Sequence, residues 1–490
     1  MKKLVQAVTE NNMNILWITC DEMKAKAIRP YANKYVPVPA IERIASEGVI
    51  FMNNFVQVPK CIPSRPSMLS SRYPHLDGLR TMSTESFNGT GWMTLSETSP
   101  NLLKWLKEKK YRTAIFGKNH WIRPEAEQTL LDRFSCAGDP FPKVLSEPEE
   151  ILHRAYFGNT VDPNYDRKNF VDELSVSEAI KFMNESKKQN FCVLLDISQP
   201  HPPYFEWPEF ADDIPLSEIS IPSAVAVEKA PIVEQAIRKT FDVENLSDEQ
   251  KRKIIRAYWS QCRYADSLIK RVLDFLETSK LVKNTFLIIT SDHGDFAGEH
   301  NCYEKWDTSF LDCIVHVPLL MRFPGILPKS LKINSLTEHV DIVPTILEIM
   351  NQNIPATVNG KSLLPLMKNP YLEHKKAVFS QGGVEPNAVL KSGTDYRSKL
   401  IKPYWNKQKT IIDFPETLLR SHMVRTKTYK LIYRLSGDHE LYNLVNDPDE
   451  INNIYKKPGT EKILSEMKDL LLDFFVQNQT QIPVIEELWA

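Results

Sequence analysis

The chain has 490 residues, which is long enough for one large folded core and a smaller second domain. Its formal net charge of −1 at pH 7 excludes a global positive field that would recruit nucleic acid or an anionic membrane surface. The seven cysteines lie scattered without the spacing of a disulfide framework or a zinc site, and their odd number indicates a reducing compartment.

The N-terminal residues do not follow the pattern of an export signal. Met1-Lys2-Lys3 begins like the charged part of a signal peptide, but Gln6 and Thr9 interrupt any apolar segment behind it. No apolar stretch of the sequence approaches the length of a membrane span. We therefore expect a cytoplasmic protein without a membrane span. A periplasmic or secreted location is the alternative if an atypical signal is present.

Apolar runs predict five buried strands, which cover residues 14–19, 113–117, 191–197, 285–291 and 317–322. Helical periodicity lies between them, at residues 101–110, 172–186 and 247–279. The last of these helices opens with Ser247 and Gln250 as a capping box. Buried strands that alternate with helices predict an α/β fold, with a large, mainly parallel sheet flanked by helices on both faces.

The C-terminal part of the chain has a different character. Residues 423–433 alternate apolar and polar side chains like antiparallel strands, and residues 461–477 form an amphipathic helical pattern. This predicts a smaller α+β domain with an antiparallel sheet. We place it at residues 386–490, after a catalytic domain at residues 1–385.

Reactive side chains follow four of the predicted strands. In chain order these groups are Asp21-Glu22, Lys118-Asn119-His120, Gln199-Pro200-His201 and Asp292-His293. The carboxyl ends of parallel strands meet at one edge of a sheet, where α/β proteins build their ligand sites. We therefore expect these side chains to form one site.

Cys61-Ile62-Pro63-Ser64-Arg65 matches the core of the sequence in which maturation enzymes oxidise a cysteine to formylglycine. The alternative is an ordinary buried thiol at the start of a helix. Residues 65–75 predict a short helix that ends in a turn, with Cys61 just before its N-terminus. Free backbone N–H groups and the helix dipole favour a bound oxyanion there.

With this motif the chain resembles the type I, formylglycine-dependent sulfatases of the alkaline phosphatase superfamily, which include choline sulfatase and the phosphonate monoester hydrolases. Residues 116–121 resemble the family's Gly-Lys-Trp-His element, and residues 200–204 resemble its Pro-His-x-Pro-Tyr element. Residues 298–306 resemble the segment that delivers a second lysine, here Lys305. One departure is Ser71, which stands where the family usually has glycine.

The resemblance implies an alkaline phosphatase-like fold and a sulfuric ester hydrolase. It implies these catalytic residues: Cys61, Arg65, Lys118, His120, His201 and Lys305. Asp292-His293 is typical of the choline sulfatase and phosphonate hydrolase side of the family, because many carbohydrate sulfatases have Asn in place of His293.

The implied cofactor is one divalent metal ion. Its implied ligands are Asp21, Glu22, Asp292, His293 and the oxidised Cys61. Oxygen ligands suit Ca²⁺, Mg²⁺ or Mn²⁺, while a histidine favours Mn²⁺, and we expect calcium with manganese or magnesium as alternatives. At Glu22 the family usually has Asp, Asn or Gln, so direct ligation and an outer-shell role both stay open.

Hydrolysis of a sulfate monoester requires a nucleophile, neutralised sulfuryl oxygens and a protonated leaving group. One hydroxyl of hydrated formylglycine would attack in line, with Asp292 accepting its proton, while Lys118 and Lys305 hold the sulfuryl oxygens. His201 would protonate the leaving oxygen. His120 would deprotonate the second hydroxyl and so expel sulfate. In this interpretation Arg65 steadies the formylglycine hydrate.

The expected substrate is a sulfate ester of a carbohydrate or a small organic molecule, and the expected partner is a formylglycine-generating maturation enzyme. One alternative is a phosphonate monoester or phosphodiester hydrolase on the same fold. Another is a non-catalytic relative that binds sulfated glycans, which would have broken catalytic positions, whereas here each is filled. Five aromatic residues are candidates either for stacking on a sugar or for packing: Trp92, Trp121, Tyr204, Trp207 and Trp405.

Overall fold

The computed structural model describes residues 13–79, 94–145, 157–384 and 402–478. Its strands are β1 (Asn14–Cys20), β2 (Val49–Phe55), β3 (Arg112–Phe116), β4 (Arg133–Ser135), β5 (Phe157–Thr160), β6 (Phe191–Ile197), β7 (Tyr204–Glu206), β8 (Thr285–Ser291), β9 (Leu319–Arg322), β10 (Leu331–Glu338), β11 (Val378–Gly382), β12 (Ser421–Arg425), β13 (Tyr429–Arg434) and β14 (Glu440–Asn443). Eight of them form the main sheet, in the order β10-β2-β9-β8-β1-β6-β3-β4.

The main sheet is parallel except around one strand. β1 pairs in parallel with both β6 and β8, so that Trp17 lies opposite Leu194 on one side and Ile288 on the other. β9 runs antiparallel to its neighbours β2 and β8. The predicted mainly parallel sheet is therefore confirmed. Strands β2 and β10, which pair in parallel, were missing from the sequence prediction.

The α-helices of the described residues are Pro39–Glu47, Cys61–Ser70, Pro74–Asp77, Leu102–Glu108, Pro124–Leu130, Val171–Glu185, Pro208–Ala211, Ile232–Phe241, Asp248–Thr278, Asp312–Val315, Ile342–Ile349, Leu364–Lys368, Lys402–Asp413 and Glu461–Gln477. The capping box before the longest helix is confirmed. Ser247 Oγ accepts from Gln250 N at 3.3 Å, and Gln250 Oε1 accepts from Ser247 N at 2.7 Å. None of these helices combines the length and apolarity needed to span a bilayer.

Apolar side chains fill both faces of the main sheet, as the continuous apolar strands require. On β1, Leu16 and Ile18 pack into one buried cluster, while Ile15 and Trp17 pack into the cluster on the opposite face. Both faces of the central strands are therefore closed to substrate. The chemistry is confined to the ends of the strands.

A second sheet of four antiparallel strands, β11-β12-β13-β14, forms the smaller C-terminal unit. The helix Glu461–Gln477 covers this sheet and buries Met467 and Leu471 against Leu431 and Leu441. The expected antiparallel sheet and final helix are confirmed. The sheet begins at β11, and the domain boundary near residue 385 stays a prediction.

Candidate active site

The order of the strands brings the reactive groups to one edge of the main sheet. β8, β1, β6 and β3 are consecutive, parallel neighbours. Asp292 and His293 follow β8, Asp21 and Glu22 follow β1, and Lys118 follows β3. The two carboxylates after β1 and the Asp-His pair after β8 are completely buried. Burial at this edge lets the charged groups interact strongly with one another.

The helix predicted at residues 65–75 instead covers Cys61–Ser70, so Cys61 is its first residue and does not precede it. Its side chain is buried, and Ser64 Oγ on the same helix donates to the Asp292 carbonyl oxygen at 2.6 Å. That bond ties the start of the helix to the loop after β8. At the other end Ser71 adopts a left-handed conformation with φ 56°, which explains why glycine is usual at this position.

Arg65 is completely buried and surrounded by three carboxylates. Its Nε donates to Asp292 Oδ2 at 2.8 Å, and its Nη2 lies 3.3 Å from Asp21 Oδ2. The third carboxylate belongs to Asp196, which pairs with Nη1 and also accepts from Trp121 Nε1 at 2.7 Å. Arg65 therefore binds protein carboxylates and fixes their positions.

Several buried acceptor atoms are arranged as a cation would require. His293 Nδ1 lies 2.8 Å from the Gly294 carbonyl oxygen and donates to it, so Nε2 carries the lone pair. Within the described part of the chain, Asp21 Oδ1, Glu22 Oε1 and His293 Nε2 have no hydrogen-bond partner. His293 Nε2 lies 3.9 Å from one carboxylate oxygen of Asp21 and 3.9 Å from one of Asp292. Buried, unsatisfied oxygen and nitrogen acceptors fit a divalent metal ion.

The possible ligand atoms fall into two adjoining groups. Those of Cys61, Asp292 and His293 lie within 4.8 Å of one another, and so do those of Asp21, Glu22 and His201. The five residues that the resemblance assigns to the metal are thus divided between the two groups, and His201 joins the second.

Neighbouring cations lower the pKa values of both Asp21 and Cys61. Burial alone would raise the pKa of the Asp21 carboxyl, but Lys118, whose Nζ lies 2.9 Å from Oδ2, and Arg65 outweigh it and hold the pKa well below its usual range. Burial would also raise the pKa of the Cys61 thiol, yet Lys118 and Lys305 outweigh it and lower that pKa. Asp21 is thus ionised across the physiological range.

Glu22 connects the carboxylates to the second lysine. Its Oε2 lies 2.7 Å from Lys305 Nζ and 3.2 Å from His201 Nε2. Burial, together with the negative charges of Asp295 and Asp21, raises the pKa of the Glu22 carboxyl despite Lys305. Its backbone is left-handed, with φ 71°, an unusual conformation for this residue type that is typical of functional sites.

The surroundings of both histidines favour the neutral imidazole. Burial, Lys305 and Lys118 hold the pKa of His201 well below its usual value, and burial, Lys118 and Arg65 do the same for His120. His201 Nδ1 lies 2.5 Å from the Pro202 carbonyl oxygen, so Nε2 accepts from Lys305 Nζ at 3.2 Å. A neutral His120 suits the role of a base, whereas His201 has to obtain a proton before it can donate one.

The aromatic candidates pack inside the protein. Trp121, Tyr204 and Trp207 are buried, so the structure supports packing over sugar stacking for all three. Tyr204 also donates to Asp295 Oδ2 at 2.5 Å. Trp92 and the side chain of Trp405 lie outside the described residues.

Family comparisons agree with the fold. The Sulfatase family model matches residues 13–352, more than half of the chain. A second family model, described as N-sulphoglucosamine sulphohydrolase, C-terminal, matches residues 383–477. The chain therefore belongs to the sulfatase family. The expected activity class, sulfuric ester hydrolase, is confirmed.

Individual relatives extend over nearly the whole chain. A Delta 4,5-hexuronate-2-O-sulfatase of Bacteroides thetaiotaomicron is 25% identical over 493 residues, covering 96% of this chain and 91% of that protein. Arylsulfatase K of Xenopus laevis is 25% identical over 463 residues, covering 90% and 78%. The phosphonate monoester hydrolase of Agrobacterium radiobacter superposes with a TM-score of 0.75 at 18% identity, covering 95% and 96%, which shows a shared fold.

Proposed function

We propose that the protein cleaves a sulfate monoester of a carbohydrate or a small organic molecule, using formylglycine at residue 61 and one divalent cation. The observation that carries the proposal is the position of Cys61. It is buried at the N-terminus of a helix, and its sulfur lies within 4.8 Å of possible ligand atoms of Asp292 and His293. An ordinary structural thiol has no need of such polar neighbours.

Asp21, Glu22, Asp292, His293 and the modified residue 61 would hold the cation. When bound, the cation supplies positive charge that polarises the sulfuryl oxygens and favours an ionised nucleophile. Calcium suits a site of mainly carboxylate oxygens, which would also accept magnesium, and the imidazole nitrogen of His293 favours manganese as an alternative. Formylglycine would add water to become a hydrate with two geminal hydroxyls in place of the thiol.

The charged residues would perform the remaining steps. Lys118 pairs with Asp21 and Lys305 pairs with Glu22, and both lysines would hold the sulfuryl oxygens. Lys305 Nζ, 3.2 Å from His201 Nε2, is placed to pass a proton through His201 to the leaving oxygen. His120, kept neutral by its surroundings, would act as the base when sulfate leaves. Arg65 would hold Asp21 and Asp292 in position.

A sulfated sugar is the substrate class that the comparisons favour. The hexuronate sulfatase shares 25% identity over 96% of this chain. Residues 383–477 match the family model that is described as N-sulphoglucosamine sulphohydrolase, C-terminal. A phosphonate monoester is the second candidate, because the Asp292-His293 pair contributes a ligand nitrogen that is typical of phosphonate hydrolases in this family.

We expect the matured, metal-loaded enzyme to hydrolyse a sulfate ester with a kcat/KM at least about tenfold above that for a phosphonate monoester, a difference of ~1.4 kcal/mol in transition-state binding. A panel of sulfated uronates and hexosamines, choline sulfate, an aryl sulfate and a phenylphosphonate monoester measures this. The Cys61→Ala variant, prepared in the same way, is the blank. A phosphonate ester that is cleaved faster than every sulfate ester would reverse the assignment.

A further inference from the structure

The loop that carries Lys305 is held in place by a lysine from the C-terminal part of the chain. Lys407 lies on the helix Lys402–Asp413, and its side chain is only 8% exposed. Its Nζ donates to the Lys305 carbonyl oxygen at 2.9 Å and lies 3.4 Å from Glu304 Oε2. The same ammonium lies 5.0 Å from the centre of the Trp306 ring. One side chain thus contacts three consecutive residues of the loop.

Glu304 connects Lys407 to Lys305. Its second carboxylate oxygen, Oε1, lies 3.4 Å from Lys305 Nζ, so a single carboxylate bridges Lys407 and Lys305. The backbone of Glu304 is left-handed, with φ 62°, and its N–H donates to Tyr204 Oη at 3.0 Å. A non-glycine residue keeps this conformation only when its surroundings enforce it.

A second buried lysine holds the other end of the loop. Lys60, the residue directly before Cys61, places its Nζ 3.0 Å from Asp307 Oδ1. Around Lys305 the structure therefore gathers three lysines (residues 60, 305 and 407) and three carboxylates (residues 22, 304 and 307). The loss of any one ammonium makes this set more negative by one charge, beside the proposed sulfate-binding site.

We propose that Lys407 is a positioning residue for Lys305. Lys407 fixes the loop and supplies positive charge that helps Lys305 to bind the sulfate group. This inference rests on the proposed role of Lys305 in substrate binding. It assigns a function in sulfate recognition to the helix Lys402–Asp413.

The charge of Lys407 is sensitive to pH. Burial, with Lys60 and Lys305 adding to it, lowers the pKa of Lys407 to about 8, although Glu304 and Asp307 oppose the shift. Lys407 is therefore mainly charged below pH 8 and mainly neutral above it, so the cluster loses one positive charge as the pH passes 8. The KM for a sulfate ester should rise as the pH passes 8, while kcat changes little.

Steady-state kinetics of Lys407→Met, Lys407→Arg and Lys409→Met between pH 6 and 10 test this inference. Lys409 is an exposed lysine on the same helix and serves as the matched control. At pH 7 we expect Lys407→Met to raise KM on the order of tenfold, as the removal of one charge at an effective dielectric constant of ~20 allows, with a nearly unchanged kcat. Its KM should also lose the rise near pH 8. Lys407→Arg should keep a low KM to higher pH.

Glu304→Gln gives an independent result if the arginine does not fit. Removing that carboxylate lowers the pKa of Lys407 further, so the rise in KM should move to lower pH. A Lys407→Met enzyme with the KM of the control at pH 7 and an unaltered rise near pH 8 would overturn the inference.

Calorimetric titration with inorganic sulfate separates this inference from the proposed function. Weaker sulfate binding by Lys407→Met than by Lys409→Met supports the positioning role even if wild-type enzyme cleaves no ester tested, and equal binding contradicts it.

Discussion

Asp292→Asn is expected to remove the bound metal ion and to lower kcat/KM by at least about 10³-fold, because metal stabilisation of the reacting charge is worth several kcal/mol and each ~1.4 kcal/mol is tenfold in rate. Asn keeps the size of Asp292 and one oxygen. It loses the charge that balances both Arg65, whose Nε lies 2.8 Å from Oδ2, and the cation. Metal content after dialysis and kcat/KM on the best sulfate ester are the measurements.

Glu22→Gln is the matched comparison, since it also replaces one buried carboxyl group at the same edge of the sheet by an amide. Glu22 is already paired with Lys305, and Gln keeps an oxygen for the cation, so we expect metal to be retained with an affinity lower by on the order of 10–100-fold. Unchanged affinity and turnover in Glu22→Gln would remove Glu22 from the ligand set. Stoichiometric metal and full activity in Asp292→Asn would contradict the whole site.

His201→Ala should lose activity in proportion to how poor the leaving group is. A nitrophenolate leaves without help, whereas a sugar alkoxide needs a proton, so we expect a loss on the order of 10²–10⁴-fold on a sugar sulfate and a much smaller loss on an aryl sulfate. The proposed proton source is Lys305, whose Nζ lies 3.2 Å from His201 Nε2. Parallel kcat/KM values on the two substrates give the comparison directly.

His120→Ala serves as the control for this experiment. Its proposed step follows the departure of the leaving group, so the loss of turnover should be the same on both substrates. Equal losses in His201→Ala, or a dependence on the leaving group in His120→Ala, would mean that the two roles are exchanged or wrong. Circular dichroism spectra should match the wild type for both variants.

The sequence was sufficient to predict the central strands and the edge of the sheet that carries the site. Continuous apolar runs and the polar residues directly after them are local signals. The observed bounds of β1, β3, β6 and β8 agree closely with the predicted ones. Strands β2 and β10 were missed. Val49–Phe55 contains Asn53 and Asn54, and Leu331–Glu338 contains Lys, Asn, Ser, Thr and Glu, so neither has the plain apolar pattern of a buried strand.

Contacts between distant parts of the chain could not be predicted. Asp196 holds Arg65 across 131 positions of sequence, and its only local signal is a lone carboxylate inside the apolar strand β6. Lys407 reaches Lys305 across 102 positions and looks like any lysine of an amphipathic helix. The sequence alone does not distinguish sugar stacking from packing for Trp121, whereas in the structure its indole N–H donates to Asp196. Pairings of this kind depend on tertiary packing, which composition and spacing do not encode.

The most direct test of the account compares the state of residue 61 with activity. The protein is produced with and without a formylglycine-generating enzyme, the peptide that contains residues 61–65 is analysed by mass spectrometry, and the same samples are assayed on one sulfate ester. The account predicts that activity rises in proportion to the fraction of residue 61 present as the aldehyde or its hydrate, with Cys61→Ala inactive. Full activity in protein whose Cys61 is quantitatively an unmodified thiol would contradict it.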